Sequence, residues 1–252
     1  MIQIVSARLS LTLAALLVTM TVAYAAEITV LSSNGVKSVV SELVPQFEKA
    51  TGNKLNISYG ASNLLVKQID AGTAFDVVIV TPALINDLVK QGKVVDGSAV
   101  NIARTGIGVA VKKGAPKPDI SSVDAFKRAL LNAKAIAYTT AGQSGLHFAS
   151  VIEKLGIAEQ VKAKGKTTPG GAAAELIVKG DADMAVQLIP ELMAVSGVDV
   201  VGPLPPELQT YIVLTAGIGA HAKDKASAQA LIKFLSAPSA VPVIKANGMQ
   251  PG

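Results

Sequence analysis

Hydroxyl, amide and glycine residues cluster in this chain at turns where predicted strands give way to predicted helices. The turn from Thr139 to His147 follows a short apolar run ending at Ala137 and precedes the apolar spacing of a helix. The first backbone N–H groups of a helix lack internal partners and carry partial positive charge, so such a turn suits an anion. Ser144 in this turn either belongs to an anion site or only caps the helix.

Two earlier turns, Ser32–Gly35 and Gly60–Asn63, have the same character and also follow predicted strands. Ligands of parallel α/β sheets lie beyond the carboxyl ends of the strands, where these turns are. None of the turns has the glycine and lysine spacing of a nucleotide-binding loop. The ligand-binding residues predicted from the turns are Ser33, Asn34, Ser62, Ser144 and Gly145.

Charged and titratable side chains near these turns extend the possible chemistry. Arg104 begins a predicted strand, where its guanidinium either grips a carboxylate with two parallel bonds or is a solvated strand-end charge. Histidine titrates nearest to neutral pH, so His147 is the best-suited general base, or else a helix-start histidine bonded to solvent or backbone. Glu191 is interpreted as a helix-start carboxylate rather than an acid partner. The two histidines lie far apart in sequence, so no metal site is predicted.

Composition narrows the class of protein. The 252 residues suffice for one large domain or two modest lobes, and half of them are hydrophobic. The chain has no cysteine, which excludes disulfides and thiolate chemistry. Its net charge of +5 comes without a basic run or interleaved aromatics, so nucleic acid is not an expected partner. No Gly-x-Ser-x-Gly motif supports a serine nucleophile.

The N-terminal segment predicts export. Arg8 precedes an apolar run from Leu9 to Val22, and Ala23-Tyr24-Ala25 fits a small-x-small cleavage site. The run is short for a membrane anchor, which is the alternative interpretation. We expect residues 1–25 to be a cleaved signal peptide and the mature protein to be a soluble monomer in the periplasm.

The order of elements predicts an α/β fold with two lobes. Residues 27–91 alternate strand and helix, which implies a parallel sheet with helices on both sides. Two long glycine-bearing strands, near 104–111 and 211–219, flank a self-contained middle segment and are predicted to cross between the lobes. The predicted division is residues 26–104 and 209–252 in the first lobe, residues 105–208 in the second, and a ligand cleft between them that closes by hinge motion.

These features resemble a known family. The segments that carry the resemblance are Ile28-Thr29-Val30, Tyr59-Gly60-Ala61-Ser62, Lys67 to Gly72, Phe75 to Ile79 and Leu231 to Pro238. They are similar to periplasmic molybdate-binding proteins and, more broadly, to type II solute-binding proteins of ABC importers. The resemblance spans essentially the whole mature chain and implies a two-lobe fold, a small anionic ligand, no cofactor and a partner permease.

The resemblance also implies site residues, with two departures. The family's second-turn serine falls on Ser62, its third-turn residue on Ser144 and an apolar contact on Gly170. The first-turn serine falls near Ser33 or Asn34, and its best match is Gly35. The family's tyrosine donor falls on Gln187. These departures disfavour molybdate, and Arg104 and His147 favour a di- or tricarboxylate such as aconitate.

The turn containing His147 and the segment Val186 to Leu192 resemble a branch of the family that includes aconitate isomerase, an exported enzyme interconverting cis- and trans-aconitate. That resemblance implies a cofactor-free proton shift across an allylic system, with a base, an acid and donors for the developing charge. Two functions therefore stay open: a binding protein for a carboxylate anion, and an isomerase working in the same cleft.

Overall fold

The computed structural model of the protein describes residues 26–171 and 173–252, so the predicted signal peptide lies outside the described residues. The strands are β1 (Glu27–Ser33), β2 (Lys54–Gly60), β3 (Val77–Val80), β4 (Val100–Lys112), β5 (Ile136–Thr139), β6 (Gly165–Thr168), β7 (Met184–Leu188), β8 (Val198–Pro203), β9 (Tyr211–Ile218) and β10 (Gln250–Pro251). The helices are α1 (Lys37–Thr51), α2 (Ser62–Asp70), α3 (Pro82–Lys90), α4 (Val123–Asn132), α5 (Gln143–Lys154), α6 (Ala158–Ala163), α7 (Glu175–Lys179), α8 (Ile189–Met193), α9 (Lys225–Leu235) and α10 (Val241–Ala246). Short 3-10 turns at Asn34–Val36 and Pro238–Ala240 precede α1 and α10.

Strand pairing divides the molecule into two lobes. In the first lobe β1 pairs in parallel with β2 and β3, and β9 runs antiparallel to β3. In the second lobe β5 pairs in parallel with β6 and β7. Strand β4 belongs to both sheets: residues 100–106 pair with β9, and residues 107–112 pair with β7 and β8. The predicted two-lobe α/β fold is confirmed.

Each lobe buries its own apolar core. Helix α1 buries Val39, Leu43 and Phe47 along one face, as the helical spacing of these residues predicts, and packs them against the first sheet. Phe126 of α4 and Phe148 of α5 are both fully buried in the core of the second lobe. Separate cores allow the lobes to move as units about the strands that join them.

The side-chain amide of Gln209 supports β4 at the point where this strand passes from the first sheet to the second. The backbone N–H of Ile107 donates to Oε1 of Gln209 at 2.9 Å, and Nε2 of Gln209 donates to the carbonyl of Ile107 at 2.8 Å. Ile107 is the residue at which β4 leaves the first sheet and joins the second. Gln209 therefore pairs with β4 as a neighbouring strand would.

Gln209→Ala is expected to lower the free energy of unfolding by about 1–2 kcal/mol, because the Ile107 N–H loses its partner in a part-buried position. Urea unfolding followed by circular dichroism measures this. Gln91→Ala, at an exposed position after α3, is the matched control and should change stability by less than about 0.5 kcal/mol. Equal effects of the two substitutions would contradict the bracing role.

The sequence prediction differs from the structure at the start of α5. Helix α5 begins at Gln143, five residues before the predicted start, so Ser144 and His147 lie within the helix. Glycine and β-branched residues weaken local helix signals, and tertiary packing overrides them at α5.

No single helix among the described residues is long and apolar enough to cross a membrane. The bent pair of α9 and the C-terminal helical segment passes that test only jointly. Its apolar residues Leu231, Ile232 and Ile244 are buried in the core of the first lobe.

Candidate functional site

Three strand-to-helix turns from the two lobes surround one small cavity. The first lobe contributes the turn before α1 and the start of α2, and the second lobe contributes the start of α5. The lining residues are Ser33, Asn34, Gly35, Ala61, Ser62, Thr139, Gly142, Gln143, Gly171, Leu188, Glu191 and Ile212. The N-terminal ends of three helices therefore face the same space, and their free N–H groups suit an anion.

Buried hydroxyl groups without partners add to these amides. Ser62 is 3% exposed and Thr139 is 2% exposed. Neither Oγ of Ser62 nor Oγ1 of Thr139 has a hydrogen-bond partner among the described residues. A buried hydroxyl without a partner is unfavourable, so both groups are ready to donate to a ligand. Ser33 differs, because its Oγ already accepts from the N–H of Gly35 at 3.3 Å.

The cavity is closed over by contacts between the lobes. Nδ2 of Asn63 in α2 donates to the carbonyl of Ala141 at 3.4 Å. A Cβ placed on Gly170 of the second lobe would lie 3.0 Å from Cβ of Ala61 in the first. The enclosed volume is about 20 Å³, which is room for little more than one water molecule.

Glu191 is the one ionisable side chain among the described residues that line the cavity. It lies in the first turn of α8, and burial between the lobes raises the pKa of its carboxyl to about 7. Hydrogen bonds from the Gln187 side chain and the Leu188 backbone N–H offset part of this effect. The helix-start interpretation is therefore incomplete: near neutral pH the carboxyl exchanges between a proton donor and a proton acceptor.

Gln187 does not line the cavity but holds one of its lining residues. It is fully buried, and its Nε2 donates to the carbonyl of Gly171 at 2.9 Å, while its Oε1 has no partner among the described residues. Gly171 lines the cavity, so this bond holds part of the wall in place.

The structure places Arg104 away from the cavity. Its Nε donates to Oε1 of Gln250 at 2.9 Å, and its guanidinium lies 5.8 Å from the ring centre of Tyr211. The side chain is exposed, and these two contacts orient it along the first lobe. Arg104 is not among the described lining residues.

His147 lies in the second turn of α5 and is not among the described residues that line the cavity. Its Nε2 is 2.8 Å from the carbonyl oxygen of Leu208. A carbonyl only accepts, so Nε2 carries a proton and donates it there. The ring ties α5 to the segment that leads into β9.

The predicted residues of the third turn, Ser144 and Gly145, are buried at the start of α5. Ser144 is 1% exposed beside the lining residue Gln143. A Cβ on Gly145 would lie 1.6 Å from the carbonyl oxygen of Thr139, so only glycine allows α5 to approach the end of β5 this closely. Gly170 contacts Ala61 across the cleft and does not itself line the cavity.

Several lining residues were not predicted as ligands, and three of them show why. Thr139 ends β5, at the carboxyl edge where ligands of such sheets lie, and that position was a usable signal. Gln143 was assigned to a turn whose helical start was missed. Ile212 is apolar and lies in β9, and nothing in its local sequence distinguishes it. Among residues 26–171 and 173–252, no group of three or more histidine and acidic side chains is arranged to hold a metal ion.

A two-lobe α/β fold with helix N-termini meeting in the cleft defines the class of solute-binding proteins. Residues 28–250 match the family model described as bacterial extracellular solute-binding protein. The chain belongs to that family.

Proteins similar to this chain include both an enzyme and binding proteins. The chain is 31% identical over 252 residues to an aconitate isomerase of Pseudomonas sp, covering 96% of each chain. It is 30% identical over 241 residues to the molybdate-binding protein ModA of Azotobacter vinelandii, covering 90% of each. The solved structure of the periplasmic molybdate-binding protein of Azotobacter vinelandii has a TM-score of 0.75 at 23% identity, covering 88% of this chain and 98% of that one. The last similarity supports the fold alone.

Proposed function

We propose that the protein binds a small carboxylate anion between its lobes in the periplasm and delivers it to the permease of an ABC importer. The observation that carries this is the meeting of three helix N-termini with the unpartnered hydroxyls of Ser62 and Thr139. Neutral donors of this kind bind an anion without requiring a cation.

Glu191 is suited to a carboxylate ligand. A carboxyl whose pKa is about 7 donates its proton to a carboxylate oxygen of the ligand, and the two carboxyl groups then share one proton. Once ionised, the same group repels any anion in the cavity. Carboxylate affinity is therefore expected to fall as the pH rises through about 7.

The experiment is a calorimetric titration of the mature protein with molybdate, citrate, cis-aconitate and trans-aconitate. Binding of a carboxylate in preference to molybdate supports the proposal. Tight binding of molybdate with no response to any carboxylate would overturn it. Repeating the titration across neutral pH tests the expected loss of carboxylate affinity.

The second candidate is isomerisation of aconitate between the same two lobes, which the 31% identity to an aconitate isomerase favours. In this scheme Glu191, as carboxylate, takes a proton from the methylene group beside a ligand carboxylate and returns it at the far end of the allylic system. No proton is gained or lost overall, and the double bond shifts to the neighbouring carbon–carbon bond. The helix N–H groups hold the charge that develops in between.

Proton NMR in deuterated buffer separates the two candidates. Turnover exchanges deuterium into the methylene and vinyl positions of trans-aconitate and produces the cis isomer without added cofactor. Binding without exchange supports the transport role. His147→Ala is expected to retain turnover, because the imidazole Nε2 already donates to the Leu208 carbonyl. Complete loss of turnover in this variant would indicate that His147 is the base.

A further inference from the structure

A groove opens beside the anion cavity and is continuous with it. Asn34, Gly171 and Glu191 line both spaces. The groove has a volume of about 300 Å³ and runs between the first turns of α1 and the helix α8. Continuity through these shared residues means that one ligand can reach from the cavity into the groove.

The two volumes constrain how a carboxylate ligand lies. The closed cavity of about 20 Å³ accepts one carboxylate group at most, whereas the groove of about 300 Å³ is in the range of small-molecule sites. A ligand with several carboxylates must therefore place the remaining ones in the groove. A ligand with one carboxylate has no need of it.

The first turn of α1 supplies the groove with hydrogen-bond donors that suit a carboxylate. Lys37 is the one cationic side chain among the described residues that line it. Its ammonium also lies 5.5 Å from the ring centre of Tyr59, which limits where the side chain reaches. Ser38 lies beside it, and its Oγ is buried without a partner among the described residues.

The opposite wall carries Glu175, which does not cancel this charge. Its carboxylate lies 3.9 Å from the ammonium of Lys179 and its side chain is 53% exposed. Glu191 at the junction with the cavity is protonated in part near neutral pH, because burial raises its pKa to about 7. Lys37 is thus free to attract a second negative group.

We infer that Lys37 and Ser38 form a second carboxylate subsite, which selects di- and tricarboxylates over monocarboxylates and tetrahedral oxyanions. This inference rests on the proposed carboxylate binding and adds the residues that recognise the distal part of the ligand. The first carboxylate lies against the helix N-termini of the cavity, and the distal one accepts hydrogen bonds from the ammonium of Lys37 and the hydroxyl of Ser38.

The test uses three ligands that share a propene skeleton: crotonate, glutaconate and trans-aconitate, with one, two and three carboxylates. Lys37→Gln is expected to weaken glutaconate and trans-aconitate by about fivefold, as for an exposed ion pair, and to leave crotonate unchanged. Ser38→Ala should weaken the same two ligands without altering thermal stability, since its Oγ has no partner to lose. Lys67→Gln, at an exposed position on α2, is the control.

The outcomes separate the subsite from the site itself. If the wild type binds none of the three carboxylates, the proposed function fails and the subsite with it. If the wild type binds them but Lys37→Gln and Ser38→Ala weaken all three equally, or none, carboxylate binding stands and the subsite is overturned. Selective loss for the ligands with two and three carboxylates supports it.

Discussion

Glu191→Gln is expected to stabilise the protein by about 3 kcal/mol above pH 7 and to have almost no effect near pH 4. Burial raises the pKa of this carboxyl from 4.5 to about 7, so the folded state holds a proton that the unfolded state has released. The wild type therefore loses stability as the pH rises from about 4.5 to about 7. Glutamine does not titrate and avoids that loss.

Urea unfolding of both proteins at a series of pH values measures the difference. Glu175→Gln is the matched control, because Glu175 lines the neighbouring groove but is half exposed and paired with Lys179. Its stability should follow the wild type within about 0.5 kcal/mol at every pH. If Glu191→Gln also follows the wild type throughout, the carboxyl is solvated in the folded protein and does not reach the cavity as described.

Glu191→Gln also tests the proposed isomerisation. If the protein is an isomerase, Glu191→Gln is expected to lower turnover by at least about a hundredfold, because glutamine neither takes nor returns a proton. Binding of trans-aconitate near pH 6 should survive, since the amide N–H donates where the carboxyl O–H did. Undiminished deuterium exchange in this variant would exclude Glu191 as the base.

Ser62→Ala is expected to weaken carboxylate binding by about 1.5–3 kcal/mol while leaving the free energy of unfolding unchanged within about 0.5 kcal/mol. The hydroxyl of Ser62 is buried and has no partner among the described residues, so the free protein loses no hydrogen bond when it is removed. The complex loses one donor to a charged group. Calorimetric titration and thermal unfolding measure the two quantities separately.

Ser122→Ala is the control with the opposite pattern. Ser122 caps α4, and its Oγ accepts from the N–H of Ala125 at 3.2 Å. Loss of this cap should lower stability by about 1 kcal/mol and leave ligand binding unaltered. If Ser62→Ala instead destabilises the protein and spares binding, Ser62 is a structural residue and the anion lies elsewhere.

The fold was predictable because its signals are local. Apolar spacing marks most helices and strands, and the alternating order over residues 27–91 requires crossover connections that are typical of parallel sheets. Ser33, Asn34 and Ser62 could be predicted at the cavity for the same reason. A turn that leads from a strand into a helix presents free N–H groups at the carboxyl edge of the sheet, wherever the rest of the chain lies.

Glu191, Arg104 and His147 required the tertiary structure. In sequence Arg104 and His147 look as suitable for a carboxylate site as any residue, yet Gln250 and the Leu208 carbonyl, 146 and 61 positions away, hold their side chains elsewhere. Glu191 looks like an ordinary helix-start carboxylate until the first lobe closes over it. Desolvation depends on which distant surfaces meet around a group, and local sequence does not encode that, whereas the free N–H groups of a helix start belong to the backbone itself.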